Sequence, residues 1–190
     1  MKRGLPRLVL LLCCALPLAA VPAPLAPHSI YLLGLNITDQ DGRTTDLART
    51  RGAPTLVTMF YTSCPVACPL TIDTLRMIED AAPAAERARL RVLLVSFDPV
   101  HDTVAALHAV AVQRELDTRR WTLARSDAAG ARKLAALLGI RYRQSADGDF
   151  SHSSTIVLLD AEGRMVARTD TLGAVDPGLL AALHALPAGP

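Results

Sequence analysis

The chain of 190 residues is 51% hydrophobic and 20% charged, which suits one globular domain and excludes a disordered, collagen-like or coiled-coil chain. Its 20 Lys and Arg against 18 Asp and Glu give a formal net charge of +2. Three of those cations, Lys2, Arg3 and Arg7, precede the first acid, Asp39; setting them aside leaves 17 basic against 18 acidic side chains, no footprint of a nucleic-acid partner.

The N-terminus opens with the positive stretch Met1–Gly4 and runs into an apolar segment, Leu8–Ala20, broken only by Pro17. Its 13 residues fall short of the roughly 20 that a helix needs to cross a bilayer. Leu18-Ala19-Ala20 offers the small residues that a signal peptidase cuts beside. Residues 1–20 therefore read as a cleaved secretory signal, 21–28 as a linker carrying Pro22, Pro24 and Pro27, and 29–190 as the folded domain. An uncleaved N-terminus fits less well and is the one route to membrane association. A lipoprotein site at Cys13 fits poorly, because Leu11-Leu12 replaces the expected small residues. Cleavage near Ala20 removes Cys13 and Cys14. Cys64 and Cys68 then remain, in an exported compartment where disulfides persist.

Within the body, Ile30–Ile37 followed by Asp39-Gln-Asp-Gly42 predicts a strand and a glycine-closed turn. Thr55–Tyr61, rich in β-branched and apolar residues, predicts a buried strand. Pro69 suits the first position of a helix whose apolar stripe is Ile72, Leu75, Ile78 and Ala82. Leu90–Phe97 is a second buried strand, and Asp102 or Thr103 caps a helix reaching Leu116. Trp121–Ala124 forms a short strand; Ser126 or Asp127 then caps a helix to Leu138, stopped by Gly139. Ser153–Asp160 and Arg164–Arg168 make a hairpin around Ala161-Glu-Gly163, and Asp176-Pro177 starts a last helix to Leu186. Strands alternating with helices, then a hairpin and a helix, predict an α/β sandwich on a mixed sheet.

The chemistry concentrates in Tyr61-Thr-Ser-Cys64-Pro-Val-Ala-Cys68-Pro-Leu70, between a strand and a helix. Both sulfurs then sit near a helix N-terminus, where partial positive charge favours thiolates. Four residues apart in a tight turn, they can close a disulfide or clamp a soft metal ion. The spacing does not choose between the two, and an inert staple across so small a loop would gain little chain entropy. A metal needs a third ligand from elsewhere. Of five histidines, His28 and His184 lie near the ends of the domain and His108 falls in a helix pattern. His101 follows the second buried strand, in what reads equally well as a capping turn. His152 stands between a loop and a strand, a place from which an imidazole can reach a distant site, but taken alone it reads first as a surface or hydrogen-bonded histidine.

Three segments in order, Thr55–Pro69 (TLVTMFYTSCPVACP), Ser96–Thr103 (SFDPVHDT) and Asp149–Arg164 (DFSHSSTIVLLDAEGR), resemble the Sco/SenC family of copper chaperones. Thr38–Val57 and Arg120–Asp127 extend the likeness. The resemblance implies a thioredoxin-like sandwich with a central mixed sheet, flanking helices and an N-terminal hairpin addition, holding one copper ion, Cu(I) or Cu(II). Carried over by position, Cys64 and Cys68 match the thiolate ligands and His152 the histidine ligand. The implied role is a periplasmic metallochaperone for the copper centre of cytochrome c oxidase. Its implied partners are the copper-bearing oxidase subunit and other copper-handling proteins. The alternative is a thiol–disulfide oxidoreductase, with Cys64 and Cys68 as a disulfide-forming pair that reduces copper-site cysteines of an oxidase subunit. A peroxidase-like reading needs a cation such as Arg51 beside the thiol, and nothing in the sequence places it there. Ser151 departs from the family's frequent Asp before the histidine, with Asp149 two residues upstream, and Val66 from a position often acidic.

Overall fold

A computed structural model describes residues 24–64, 67–145 and 150–188. The signal expectation for residues 1–20 therefore lies outside the described residues. Among the described residues nine strands form: β1 Asn36–Asp39, β2 Thr44–Asp46, β3 Thr55–Phe60, β4 Arg91–Ser96, β5 Trp121–Arg125, β6 Tyr142–Gln144, β7 Phe150–His152, β8 Ile156–Leu159 and β9 Met165–Thr169. The helices are α1 Ala67–Ala81, α2 Ala84–Arg89, α3 Val104–Gln113, α4 Ala128–Leu138 and α5 Pro177–His184.

The apolar runs decide the centre of the sheet. β3 and β8 bury every residue and β4 all but its first, so each must be covered on both faces. The seven-stranded order is β2-β1-β5-β4-β3-β8-β9. β3, β4 and β5 run parallel, while β1 and β8 join them antiparallel, giving the mixed sheet that the sequence predicts. β1 and β2 are the added hairpin, turned by Gly42 at φ 79°. The three parallel strands end together at Phe60, Ser96 and Arg125, and loops leaving a common carboxyl edge are where such sheets build sites.

Helices α1 and α3 lie side by side. The Arg76 guanidinium donates to the Arg114 carbonyl, and Arg114 returns a bond to the Pro69 carbonyl at 2.9 Å. The stripe residues Ile72, Leu75 and Ile78 of α1 are buried, as is Ala82, which falls just past the end of the helix. At its far end Glu79 accepts from Trp121 Nε1 at 2.8 Å and from Arg120 at 2.5 Å, pinning α1 to β5.

Several expectations need correction. Ile30–Leu33 is a 3-10 helix, not the start of a strand. Ser29 caps it by accepting the Tyr31 amide, and Gly34 closes it in the left-handed region, so β1 begins only at Asn36. Pro69 is the third residue of α1, not the first. Thr103 caps α3, which stops at Gln113 short of Leu116, and Asp127 caps α4, which ends on left-handed Gly139. Ser153–Thr155 is irregular, with β8 starting at Ile156, and α5 stops at His184. Helix α2 and the separate β6–β7 hairpin are additions to the predicted plan.

Candidate metal centre

Beyond β3 the chain turns, with the Cys64 amide donating to the Tyr61 carbonyl at 3.3 Å, and enters α1. Cys68 falls in the first turn of α1, and its amide donates to Cys64 Sγ at 3.2 Å. A helix leaves its first amides without internal partners, so a sulfur that accepts one is held against the positive end of the helix. Neither cysteine is in a disulfide. Cys64 is half-buried and Cys68 is 5% exposed.

The expectation of two low-pKa thiols fails at Cys68. Burial pushes its thiol far above the ordinary range, the neighbouring Cys64 and the buried Asp102 push the same way, and a backbone hydrogen bond near Tyr61 offsets only part. Proximity to the helix start is outweighed by loss of water. A cation beside Cys68 is what a thiolate there requires.

His152 arrives on the β6–β7 hairpin, opposite Tyr142. Its Nδ1 lies 3.2 Å from the Ser153 carbonyl. A carbonyl only accepts, so Nδ1 carries the hydrogen and Nε2 keeps the lone pair for a ligand. The ring is wedged among aromatics: Phe97 at 5.0 Å between centroids and Tyr61 at 6.0 Å, edge-on. Phe150 and Tyr142 complete the cluster by packing on Phe97, each at 5.0 Å. These contacts place the imidazole over the cysteine turn. One ligand atom each from Cys64, Cys68 and His152 lies within 4.8 Å of the others. An ion bonded at about 2.0–2.3 Å to sulfur and nitrogen needs its ligands within roughly 4.6 Å of one another, so the donor set is close to a binding geometry.

The other candidates stand elsewhere. His101 pairs with Asp98 at 2.8 Å, His108 lies 4.0 Å from Asp41 and His184 is 2.7 Å from Glu86; none joins the three-residue group. Arg51 precedes β3 whereas Cys64 follows it. Six residues of strand, about 20 Å, separate the two ends, which removes the basis for a peroxidase-like site. Asp149 and Val66 lie outside the described residues.

Two contributors were not read from the sequence. Asp102 is fully buried and accepts the Thr62 amide at 3.1 Å, the Thr62 hydroxyl at 2.5 Å and the Ser96 hydroxyl. It thereby fixes the chain two residues before Cys64 to the loop after β4. The aromatic clamp is the second, and a signal for it existed. The chain has only 3 Tyr and 3 Phe, and of the clamp's rings Tyr61, Phe97 and Phe150 lie within the Cys, SFDP and His segments.

The SCO1/SenC family profile matches residues 34–184. A Stutzerimonas stutzeri protein, provisionally described as copper-binding, is 24% identical over 171 residues, 83% of this chain and 82% of that protein. The Bradyrhizobium japonicum ScoI structure with copper bound superposes with a TM-score of 0.62 at 25% identity, covering 79% of this chain and 95% of that one. BsSco, described as having a disulfide switch and as a member of the Sco family of cytochrome c oxidase assembly proteins, gives 0.64 at 19% identity over 80% and 92%. With its mixed thioredoxin-like sheet and its match over residues 34–184, the chain belongs to the SCO1/SenC family.

Proposed function

We propose that the protein binds one copper ion through Cys64, Cys68 and His152 and passes it to the copper-bearing subunit of cytochrome c oxidase. The observation that carries this is the convergence of two sulfurs and one imidazole within 4.8 Å, from segments more than 80 residues apart. Two thiolates and an imidazole form a soft, low-coordinate set suited to Cu(I) and able to hold Cu(II). Structural zinc ordinarily takes four ligands, and among the described residues this group offers three. Cys64 and His152 are only half-buried, so a partner's ligands can enter the coordination sphere. The copper-bound ScoI relative supports the choice of metal. The basic, apolar residues 1–20 support export to the periplasm, with residues 29–190 as the copper-carrying domain. Among the described residues no helix is long and apolar enough to cross a membrane.

Titration of the reduced protein with Cu(I) against a competing chelator tests the reading. One ion per chain is expected, with affinity at least about tenfold lower in His152→Ala and in Cys64→Ser. Equal affinity in all three overturns it.

A second reading, thiol–disulfide exchange, is favoured by one observation. Half-buried Cys64 and buried Cys68 both line an open cavity of about 200 Å³ with Thr62, Pro69 and Arg114, and Cys64 is the more exposed of the two. That asymmetry suits an attacking and a resolving thiol. Closing a Cys64–Cys68 disulfide would also block metal loading. Exchange activity that survives His152→Ala supports this reading; its absence from the wild type removes it.

A further inference from the structure

A second imidazole stands on a loop that borders the same site. His101 belongs to the loop between β4 and α3, and that loop touches both halves of the metal centre. Its first residue, Phe97, packs on His152, and its Asp102 holds Thr62 beside the cysteine turn. The loop is held from within. The Asp98 amide donates to Ser96 Oγ at 2.9 Å, the Asp102 amide to the Asp98 carbonyl at 3.0 Å, and Arg125 to the Pro99 carbonyl at 2.6 Å.

The Asp98 carboxylate is buried, its side chain 7% exposed, and lies 2.8 Å from His101 Nδ1. A carboxylate accepts that N–H, so Nε2 bears the lone pair, on a side chain 68% exposed to solvent. Carboxylate-oriented imidazoles with the second nitrogen outward are a recurrent arrangement of metal ligands, because the carboxylate both fixes the ring and raises its basicity. No nitrogen of His101 joins the three-residue cluster, so it is not a fourth ligand of that site.

We propose that His101, oriented by Asp98, is an entry site that captures copper(II) and hands it to Cys64, Cys68 and His152; this rests on the three-ligand copper reading. Transfer is ligand exchange. The bond from copper to His101 Nε2 breaks as bonds to the two sulfurs form, the thiol protons leave to solvent, and the metal keeps its oxidation state. The molecule supplies its own control. His184 makes a comparable pair with Glu86, at 2.7 Å, on α5 and α2. The chain following α5 is bonded to Arg89, beside the start of β4 and away from the edge that carries Cys64.

Reduced, anaerobic protein is mixed with Cu(II) in a stopped-flow instrument while the sulfur-to-copper charge-transfer band is followed. His101→Ala is expected to slow the band about tenfold and leave its final intensity unchanged, whereas His184→Ala matches the wild type. Equal rates in wild type and His101→Ala overturn the entry site alone. Failure of the wild type to form any band overturns the three-ligand reading as well. A variant lacking the main ligands, Cys64→Ser/Cys68→Ser/His152→Ala, gives the second measurement. It should show a nitrogen-coordinated Cu(II) resonance that disappears on adding His101→Ala and persists on adding His184→Ala. A resonance indifferent to His101 also overturns the proposal.

Discussion

The Phe97 ring meets the His152 imidazole at 5.0 Å between centroids, tilted by 56°. Phe97 directly follows β4 and Tyr61 directly follows β3, so the central sheet reaches the histidine through these two side chains, Phe97 the nearer. Phe97 also stacks on Tyr142 at 17°, which ties it to the other strand of the hairpin. Phe97→Leu keeps an apolar group but loses the flat faces on which both rings rest. A stability loss of about 1–3 kcal/mol is expected in urea titration. Copper affinity should fall about tenfold, through a histidine held less firmly. Unchanged affinity in a destabilised variant would show that the clamp supports the fold and not the ligand.

The buried Asp102 carboxylate is predicted to matter for the cysteine turn as much as for stability. It accepts from the Thr62 amide, the Thr62 hydroxyl and the Ser96 hydroxyl. Asn offers one acceptor oxygen where Asp offers two, so Asp102→Asn leaves buried donors without partners at a cost of about 1–3 kcal/mol. Because Thr62 stands two residues before Cys64, alkylation of Cys64 by iodoacetamide should accelerate in this variant under native conditions. An alkylation rate equal to wild type would confine Asp102 to a structural role.

How legible each part was follows from where its stabilisation comes from. β3, β4 and β8 were readable because strands covered on both faces must be almost wholly apolar, and that pattern is local. The caps at Thr103 and Asp127 were readable within one residue because capping is also local. Ile30–Leu33 misled because its apolar, β-branched start suits a strand, while Ser29 and Gly34 bend it into a 3-10 turn. The β6–β7 hairpin was illegible: Tyr142-Arg-Gln144 is short and polar, and aromatic packing on distant Phe97 holds it. Cys64 and Cys68 were evident from their spacing. Asp102 was not, since its meaning lies in a contact with Thr62, 40 positions away.

Ser151, which replaces a frequent Asp of the family, has little influence on the histidine in this geometry. Successive strand residues face opposite sides, so Ser151 points away from the side that His152 shares with Phe150. The ring nitrogen Nδ1, free to face a carboxylate in a relative, here faces the Ser153 carbonyl at 3.2 Å. Opposite Ser151 in the ladder stands Arg143. Ser151→Asp is therefore expected to gain about 0.2–1 kcal/mol from the cross-strand charge pair. Copper affinity should stay within about threefold of wild type, since no contact to the ligand ring changes. A larger change in chelator competition would mean that the carboxylate reaches the metal centre.

Glu79 should give stability a pH dependence of unusual sign for a carboxylate. Burial raises its pKa above 4.5, and the bonds from Trp121 and the Arg120 charge offset only part of that. Between its ordinary value and the raised one, the folded protein holds a proton that the unfolded chain has released. Stability then falls as pH rises through that interval, the reverse of a carboxylate whose pKa is depressed by a salt bridge. Glu79→Gln keeps an acceptor for Trp121 Nε1 and removes the titration. Urea midpoints taken from about pH 4 to 7 should decline less steeply in the variant than in wild type over the lower part of that range. Parallel curves would show that Arg120, 2.5 Å away, fully compensates the buried charge.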